Sequence, residues 1–198
     1  MPRQPFRSDD RSLIKTPIAG TRSYMFELYP FPYYAQEKYY TCGPAVTRMA
    51  LDWFGCPVYS ENTTAALVGT IHPDPNGPNS PAGTYLPDML SYIALAGWSW
   101  YYLRVSTDIM TMKNDLFYAI DSLWMPPIIG VKSKPSIGWQ YDTGPHFIIS
   151  YGVENDASQF VFADPWGGFC GDPNLERYSN TAYNLYLAFS NHTAGYSY

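Results

Sequence analysis

Apolar residues recur along this chain at two different spacings, and the change of spacing divides it. Val46, Met49, Ala50, Trp53 and Phe54 fall at i, i+3, i+4, i+7 and i+8, one face of a 3.6-residue period. Pro44 suits the first turn of that helix and Gly55 the position after its last, which puts Cys42 at or just before the helix N-terminus. A shorter helix is expected over 61–69. Another is expected over 86–96, with Pro87 early, Leu86, Leu90 and Ile93 inward and Gly97 as its stop. Trp98–Val105 alternates and is rich in aromatics, which predicts a strand. Residues 108–124 return to helical spacing through Ile109, Met112, Leu116, Ile120 and Leu123. Beyond them the pattern is strand-like. Pro127–Lys132 is a short apolar run, and Gly144–Val153 and Gln159–Ala163 flank a segment of turn composition, which predicts an antiparallel hairpin. Helices first and strands later imply an α+β domain, with N-terminal helices packed on one face of a C-terminal antiparallel sheet.

The N-terminal stretch breaks this pattern. Pro2, Pro5 and Pro17 interrupt any regular element, so residues 1–22 are expected as a flexible arm and 23–198 as a single domain. The arm is basic, with Arg3, Arg7, Arg11, Lys15 and Arg22 against Asp9 and Asp10, and is open to a docking role or to plain solvation. Its first residues lack the apolar core of a signal peptide. The Pro-, Gly- and Asn-rich segment 72–84 is expected as a surface excursion.

Net charge is −5, and since the arm is basic the remainder is more acidic still, which argues against nucleic acid as a partner. No stretch approaches the ~18 apolar residues of a membrane span. Aromatic residues make up 18%, with 19 Tyr and 6 Trp, and suit either a groove or assembly surface or the covering of a β-rich fold. The three cysteines, Cys42, Cys56 and Cys170, form no Cys-x-x-Cys and no disulfide framework. Cys56 and Cys170 are open to pairing with each other or to standing as separate thiols.

One set of residues carries chemistry. A thiol nucleophile attacks as thiolate, and a helix N-terminus favours that negative charge, as Cys42 requires. Among the three histidines, His72 lies in the Pro/Gly-rich loop and His192 near the C-terminus. His146 follows Gly144-Pro145 at the head of a strand, a rigid place from which to aim a base. Asp164 ends the partner strand of the hairpin, and a turn near 154–158 sets it roughly opposite His146, as an orienting carboxylate would be. Gln36, six residues before Cys42, offers a side-chain amide that with the Cys42 N–H would donate to an oxyanion. No metal-binding, dinucleotide or phosphate-binding motif is present, so no cofactor is expected.

Gln36-Glu37-Lys38-Tyr39-Tyr40-Thr41-Cys42-Gly43-Pro44-Ala45 resembles the Gln-x5-Cys-Gly-Pro-Ala signature of C39-like cysteine peptidases, which have the papain-like fold. Gly144-Pro145-His146-Phe147-Ile148-Ile149 is similar to the strand that holds the family's base, and Ala163-Asp164-Pro165-Trp166-Gly167-Gly168 to its Asp-Pro-x-x-Gly segment. Gly83-Thr84 before the helix at 86–96 resembles a further landmark. The resemblance covers roughly 30–170 and departs in Pro145, immediately before the base, where strand pairing is expected to be irregular. It implies peptide-bond cleavage with Cys42 as nucleophile, His146 as base and acid, Asp164 orienting it and Gln36 in the oxyanion hole. Stand-alone members also suggest cell-wall peptides as substrates, with an extracellular, wall or virion setting such as that of a phage lysin. Two other readings stay open: a non-catalytic binding or virion module on the same scaffold, and a transglutaminase-like acyl transferase.

Overall fold

The structure is a computed structural model that describes residues 12–18, 23–74, 82–98, 103–105, 107–192 and 195–198. Its elements follow in the order β1 (Ser12–Pro17), β2 (Tyr24–Tyr29), α1 (Cys42–Trp53), α2 (Glu61–Leu67), α3 (Leu86–Leu95), β3 (Leu103–Arg104), α4 (Ile109–Phe117), a π-helical turn at Tyr118–Ser122, β4 (Ile128–Val131), β5 (His146–Glu154), β6 (Gln159–Ala163), α5 (Pro165–Cys170), α6 (Pro173–Glu176), β7 (Arg177–Thr181), α7 (Ala182–Ser190) and β8 (Tyr196–Ser197). This is the expected α+β architecture of helices with an antiparallel sheet.

The central helix forms for the reasons its sequence suggests. Val46, Met49 and Ala50 have no exposed surface, and Trp53 and Phe54 are nearly as buried. Burying each of the larger of these side chains stabilises the fold by about 1.5–3 kcal/mol. At the C-terminal end Gly55 takes φ 73°; its N–H reaches Asp52 O at 2.9 Å and the Cys56 N–H reaches Leu51 O at 2.9 Å. That is a Schellman stop, and Gly97 ends α3 in the same way, with Trp98 N–H on Ile93 O.

Strand β5 is the hub of the sheet. All nine of its residues are buried. One edge pairs with β6, which in turn pairs with β7; the other pairs with β4 along its first half and with β2 along its last residues. Helix α1 packs on β5 and touches α2, α3 and α5. The ladder to β4 starts at Val131–His146, so Pro145 lies just outside it, where its missing N–H costs no pairing.

Two expectations are corrected, a third falls largely outside the described residues, and one open alternative is settled. Residues 12–17 are not part of an unstructured arm: they form β1, antiparallel to β2 from Ser12–Tyr29 to Pro17–Tyr24. Pro17 is tolerated because β1 is the outer strand and Pro17 its last residue. Residues 1–11 and 19–22, the rest of that arm, lie outside the described residues. The strand expected over Trp98–Val105 is described only as Leu103–Arg104, since 99–102 also lie outside. The hairpin forms, but its register is not the expected one. Ser150 pairs with Phe162 and Gly152 with Val161, so Tyr151 is an extra residue, a β-bulge. Its ring stacks on Phe31 at 4.9 Å. Finally, Cys56 and Cys170 do not pair; all three cysteines are free thiols. Of the excursion at 72–84, residues 75–81 lie outside the described residues, while Ile71 and Gly83 close its ends through a two-hydrogen-bond bridge.

Candidate active site

Cys42 opens α1, and the backbone around it is arranged to leave donors at the thiol. The first helical bond is Ala45 N–H to Thr41 O at 3.1 Å, and Pro44 has no N–H, so only the Cys42 and Gly43 N–H groups are left over. Thr41 does not cap them. Its hydroxyl turns back to Lys38, accepting from the Lys38 N–H at 3.0 Å and lying 2.9 Å from Lys38 O. The thiol therefore meets the N–H groups of Gly43 and Cys42, together with that of Phe147 on β5.

Gly43 is required by packing. A Cβ there would lie 2.6 Å from both Cβ and Oγ1 of Thr84. This explains the Gly83-Thr84 landmark: Thr84, tied to Thr70 by a 2.8 Å hydroxyl contact, closes over the start of α1. Gly43→Ala is expected to cost about 1–3 kcal/mol, visible as a drop of several degrees in Tm. An unchanged melting curve would mean Thr84 yields freely.

His146 and Asp164 meet across the hairpin. In the register past the bulge, Ile149 faces Ala163, so Asp164 stands beside Ile148 and on the same face as His146, one diagonal step away. The side chains close the gap: His146 Nε2 lies 2.7 Å from Asp164 Oδ1. With Nε2 taken, Nδ1 is the ring nitrogen left for the thiol. Asp164 also caps α5, Oδ1 accepting from Trp166 N–H at 3.0 Å, so it is both the turn residue before Pro165 and the partner of the histidine. Its other oxygen accepts from the hydroxyls of Tyr178, at 2.8 Å, and Tyr141. The glycines after it are needed for close approach: a Cβ on Gly167 would lie 2.3 Å from Glu176 N.

Cys42, His146 and Asp164 are 7%, 3% and 0% exposed, and burial governs their protonation. It pushes the Cys42 thiol up to about 11 against the pull of the Phe147 and Gly43 N–H groups. It pushes the His146 imidazole down, with His192 adding to the effect. It pushes the Asp164 carboxyl up, opposed by the Trp166 N–H and the Tyr178 hydroxyl.

Cys42 and His146 share a groove of about 740 Å³. It is lined by Tyr39, Tyr40, Ile71 and Tyr85, by Gly144–Phe147, Trp166 and His192, and by Leu103 and Val105. His192, which sequence order alone left near the C-terminus, thus lines the site, its ring 5.8 Å from that of Phe147.

Gln36 is placed differently. It is 2% exposed but is not on the groove wall; its Nε2 donates to Lys38 O at 2.8 Å, leaving a second N–H on that nitrogen, and its backbone N–H donates to Pro165 O at 3.1 Å. It therefore ties the loop before Cys42 to the segment carrying Asp164. Sequence reasoning missed the residue that grips this loop from the other side. Glu61, 1% exposed at the start of α2, takes the Glu37 N–H on both carboxylate oxygens at 2.9 Å and also bonds the Thr41 hydroxyl. It missed Tyr141 and Tyr178 as well. No spacing rule marks any of the three, because each reaches its target through tertiary contact.

The peptidase domain of Streptococcus ComA, a bi-functional ABC transporter involved in a quorum-sensing pathway, is similar in fold: the TM-score is 0.52 at 18% identity over 84% of this chain and 95% of that one. No curated protein matches the sequence. The sequence model of the Peptidase_C39 like family matches residues 29–193, a span that contains the Cys42 helix, the His146 strand and the Asp164 turn, and the chain belongs to that family.

Proposed function

We propose that this protein hydrolyses peptide bonds as a thiol peptidase. The observation that carries the reading is a cysteine at a helix N-terminus sharing one groove with a buried, carboxylate-held histidine. Cys42 is the nucleophile. Its proton passes to His146 Nδ1 as Sγ bonds to the scissile carbonyl carbon. The oxygen that becomes negative is held by the Cys42 N–H, and the family resemblance assigns Gln36, buried behind the groove at the loop before Cys42, to the same oxyanion hole. His146 then gives its proton to the leaving amine, which departs as the C–N bond breaks. A water, deprotonated by His146, attacks the thioester and releases the acid, returning the thiol. Asp164 keeps the imidazole in the tautomer and orientation these transfers need.

The groove favours a substrate class. Tyr39, Ile71, Tyr85, Leu103 and Val105 present exposed apolar surface around it, with Asp142 the acidic group on its wall. Such a lining suits an extended peptide with apolar or aromatic side chains flanking the cut. Wall peptides, the substrate suggested by the stand-alone members, belong in the same screen. A library of extended peptides and wall peptides, incubated with the protein and analysed by mass spectrometry, is expected to show cleavage beside apolar residues that iodoacetamide abolishes. Gln36→Ala is expected to lower kcat by about 10²–10³-fold with little change in KM. Cleavage unaffected by iodoacetamide would sink the reading.

A further inference from the structure

Asp164 has more hydrogen bonds than a triad carboxylate or a helix cap explains. Oδ1 serves both of those roles, facing His146 Nε2 at 2.7 Å and the Trp166 N–H at 3.0 Å. Oδ2 serves neither. It accepts from two phenols that arrive from separate elements, Tyr178 on β7 at 2.8 Å and Tyr141 on the loop between β4 and β5, and the two hydroxyls are 3.3 Å apart. Tyr178 is buried, its ring packed 5.7 Å from Phe162 and 6.1 Å from Trp139. Two hydroxyls, one on the buried Tyr178 and one on the half-buried Tyr141, are thus spent on one carboxylate oxygen that makes no hydrogen bond to the imidazole.

We propose that Tyr178 and Tyr141 are positioning residues of the hydrolytic reaction, holding Asp164 as an ionised, donor-saturated carboxylate that presents Oδ1 to His146. This rests on the peptidase reading above and adds the device that keeps its third member charged. The physical reason is the cost of burying that charge. A carboxylate with no exposed surface is driven toward its neutral form, and only donors to its charged form oppose this. Protonation at Oδ2 would require one of the phenols to reverse and accept. Burial pushes the Tyr178 hydroxyl well above its ordinary range, so it keeps the proton it donates at any working pH.

The other charged or titratable groups around Asp164 do not serve the same purpose. His146 on β5 is the group being oriented, with His192 beyond it, and Cys42 on α1 is the nucleophile. Tyr33 donates to the Asp164 backbone oxygen at 2.9 Å and accepts the Gly168 N–H. Glu176, at the end of α6, uses its backbone carbonyl to accept the Asp164 N–H. Arg177, at the start of β7, donates to Phe31 O and lies over the rings of Tyr33 and Tyr151. The two phenols are therefore the side-chain donors given wholly to Oδ2.

The sign follows. Removing a donor to the charged form raises the Asp164 pKa, so as pH falls the oriented imidazole is lost sooner. In Tyr178→Phe the acid limb of the kcat/KM profile is expected to move up by about one pH unit, since a hydrogen bond to a charged group is worth at least that much. The plateau above it should fall only a few-fold. Tyr141→Phe should move the limb in the same direction, and the double variant further. A purely structural role would lower Tm and reduce activity equally at every pH. The phenylalanines keep the ring packing, and melting curves report whether each variant is folded. The same limb is read without any peptide from the rate of Cys42 alkylation by iodoacetamide between pH 4 and 9. If His146→Ala slows that alkylation but the tyrosine variants leave the limb where the wild type has it, the proposal is overturned. If His146→Ala leaves alkylation unchanged, the peptidase reading itself fails and the proposal with it.

Discussion

Cys42→Ala is expected to reduce peptide cleavage to background, a loss on the order of 10⁴-fold or more, because deleting a nucleophile removes the covalent route and leaves only binding and oxyanion stabilisation. The fold should survive. The substitution removes one sulfur from a side chain already 7% exposed, and deletions of that size in a core cost about 1 kcal/mol. Circular dichroism and a melting curve close to wild type would show that the loss is chemical. Cys170→Ala is the control, since that thiol is exposed and its contact is a 3.4 Å approach to Gly167 O outside the groove. Cleavage that persists in folded Cys42→Ala would put the nucleophile elsewhere, whereas a folded wild type that cleaves nothing would return the protein to the scaffold or binding-module alternative.

The second large effect concerns His146. With the imidazole uncharged, burial holds the Cys42 thiol up at about 11. A cysteine in that state is alkylated slowly near neutrality, because only the thiolate attacks. In the wild type the proton has somewhere to go: His146 lines the same groove with Nδ1 unclaimed by Asp164, and Asp164 stabilises the imidazolium that results. Iodoacetamide should therefore label Cys42 at pH 6–7 in the wild type. In His146→Ala the acceptor is gone and burial alone acts, so the labelling profile should move several pH units higher. Peptide cleavage should fall by about as much as in Cys42→Ala, since triad members act as a unit. Superimposable labelling profiles, mapped by mass spectrometry against Cys56 and Cys170, would mean that the thiol and the imidazole are not coupled.

Local pattern was the legible part. The 3.6-residue spacing of Val46, Met49, Ala50, Trp53 and Phe54, with Pro44 and Gly55 at its ends, predicts α1 to within about a residue, because those signals act within a few residues of themselves. The same holds for α3, for β4 and for the existence of the β5–β6 hairpin. The placing of Cys42 at a helix N-terminus, and of His146 and Asp164 at one end of a hairpin, follows from these elements.

What sequence could not decide lies in contacts between distant segments. The bulge at Tyr151 shifts the hairpin register, and its residue stacks on Phe31, 120 positions earlier by the chain numbering. Residues 12–17 become a strand only because β2 offers an edge, which outweighs Pro17. Glu61 grips the Gln36–Cys42 loop from another helix, and Tyr141 and Tyr178 reach Asp164 from a loop and a strand with no periodicity of their own. The sequence by itself therefore determined α1 to α4, β4 and the β5–β6 hairpin, the family resemblance and the candidate nucleophile, base and acid, all of which rest on short-range spacing. Only the tertiary structure decided the pairing register, the groove that joins Cys42 to His146, the buried place of Gln36 and the phenols that hold Asp164, because each is a contact that exists only once separate segments have packed.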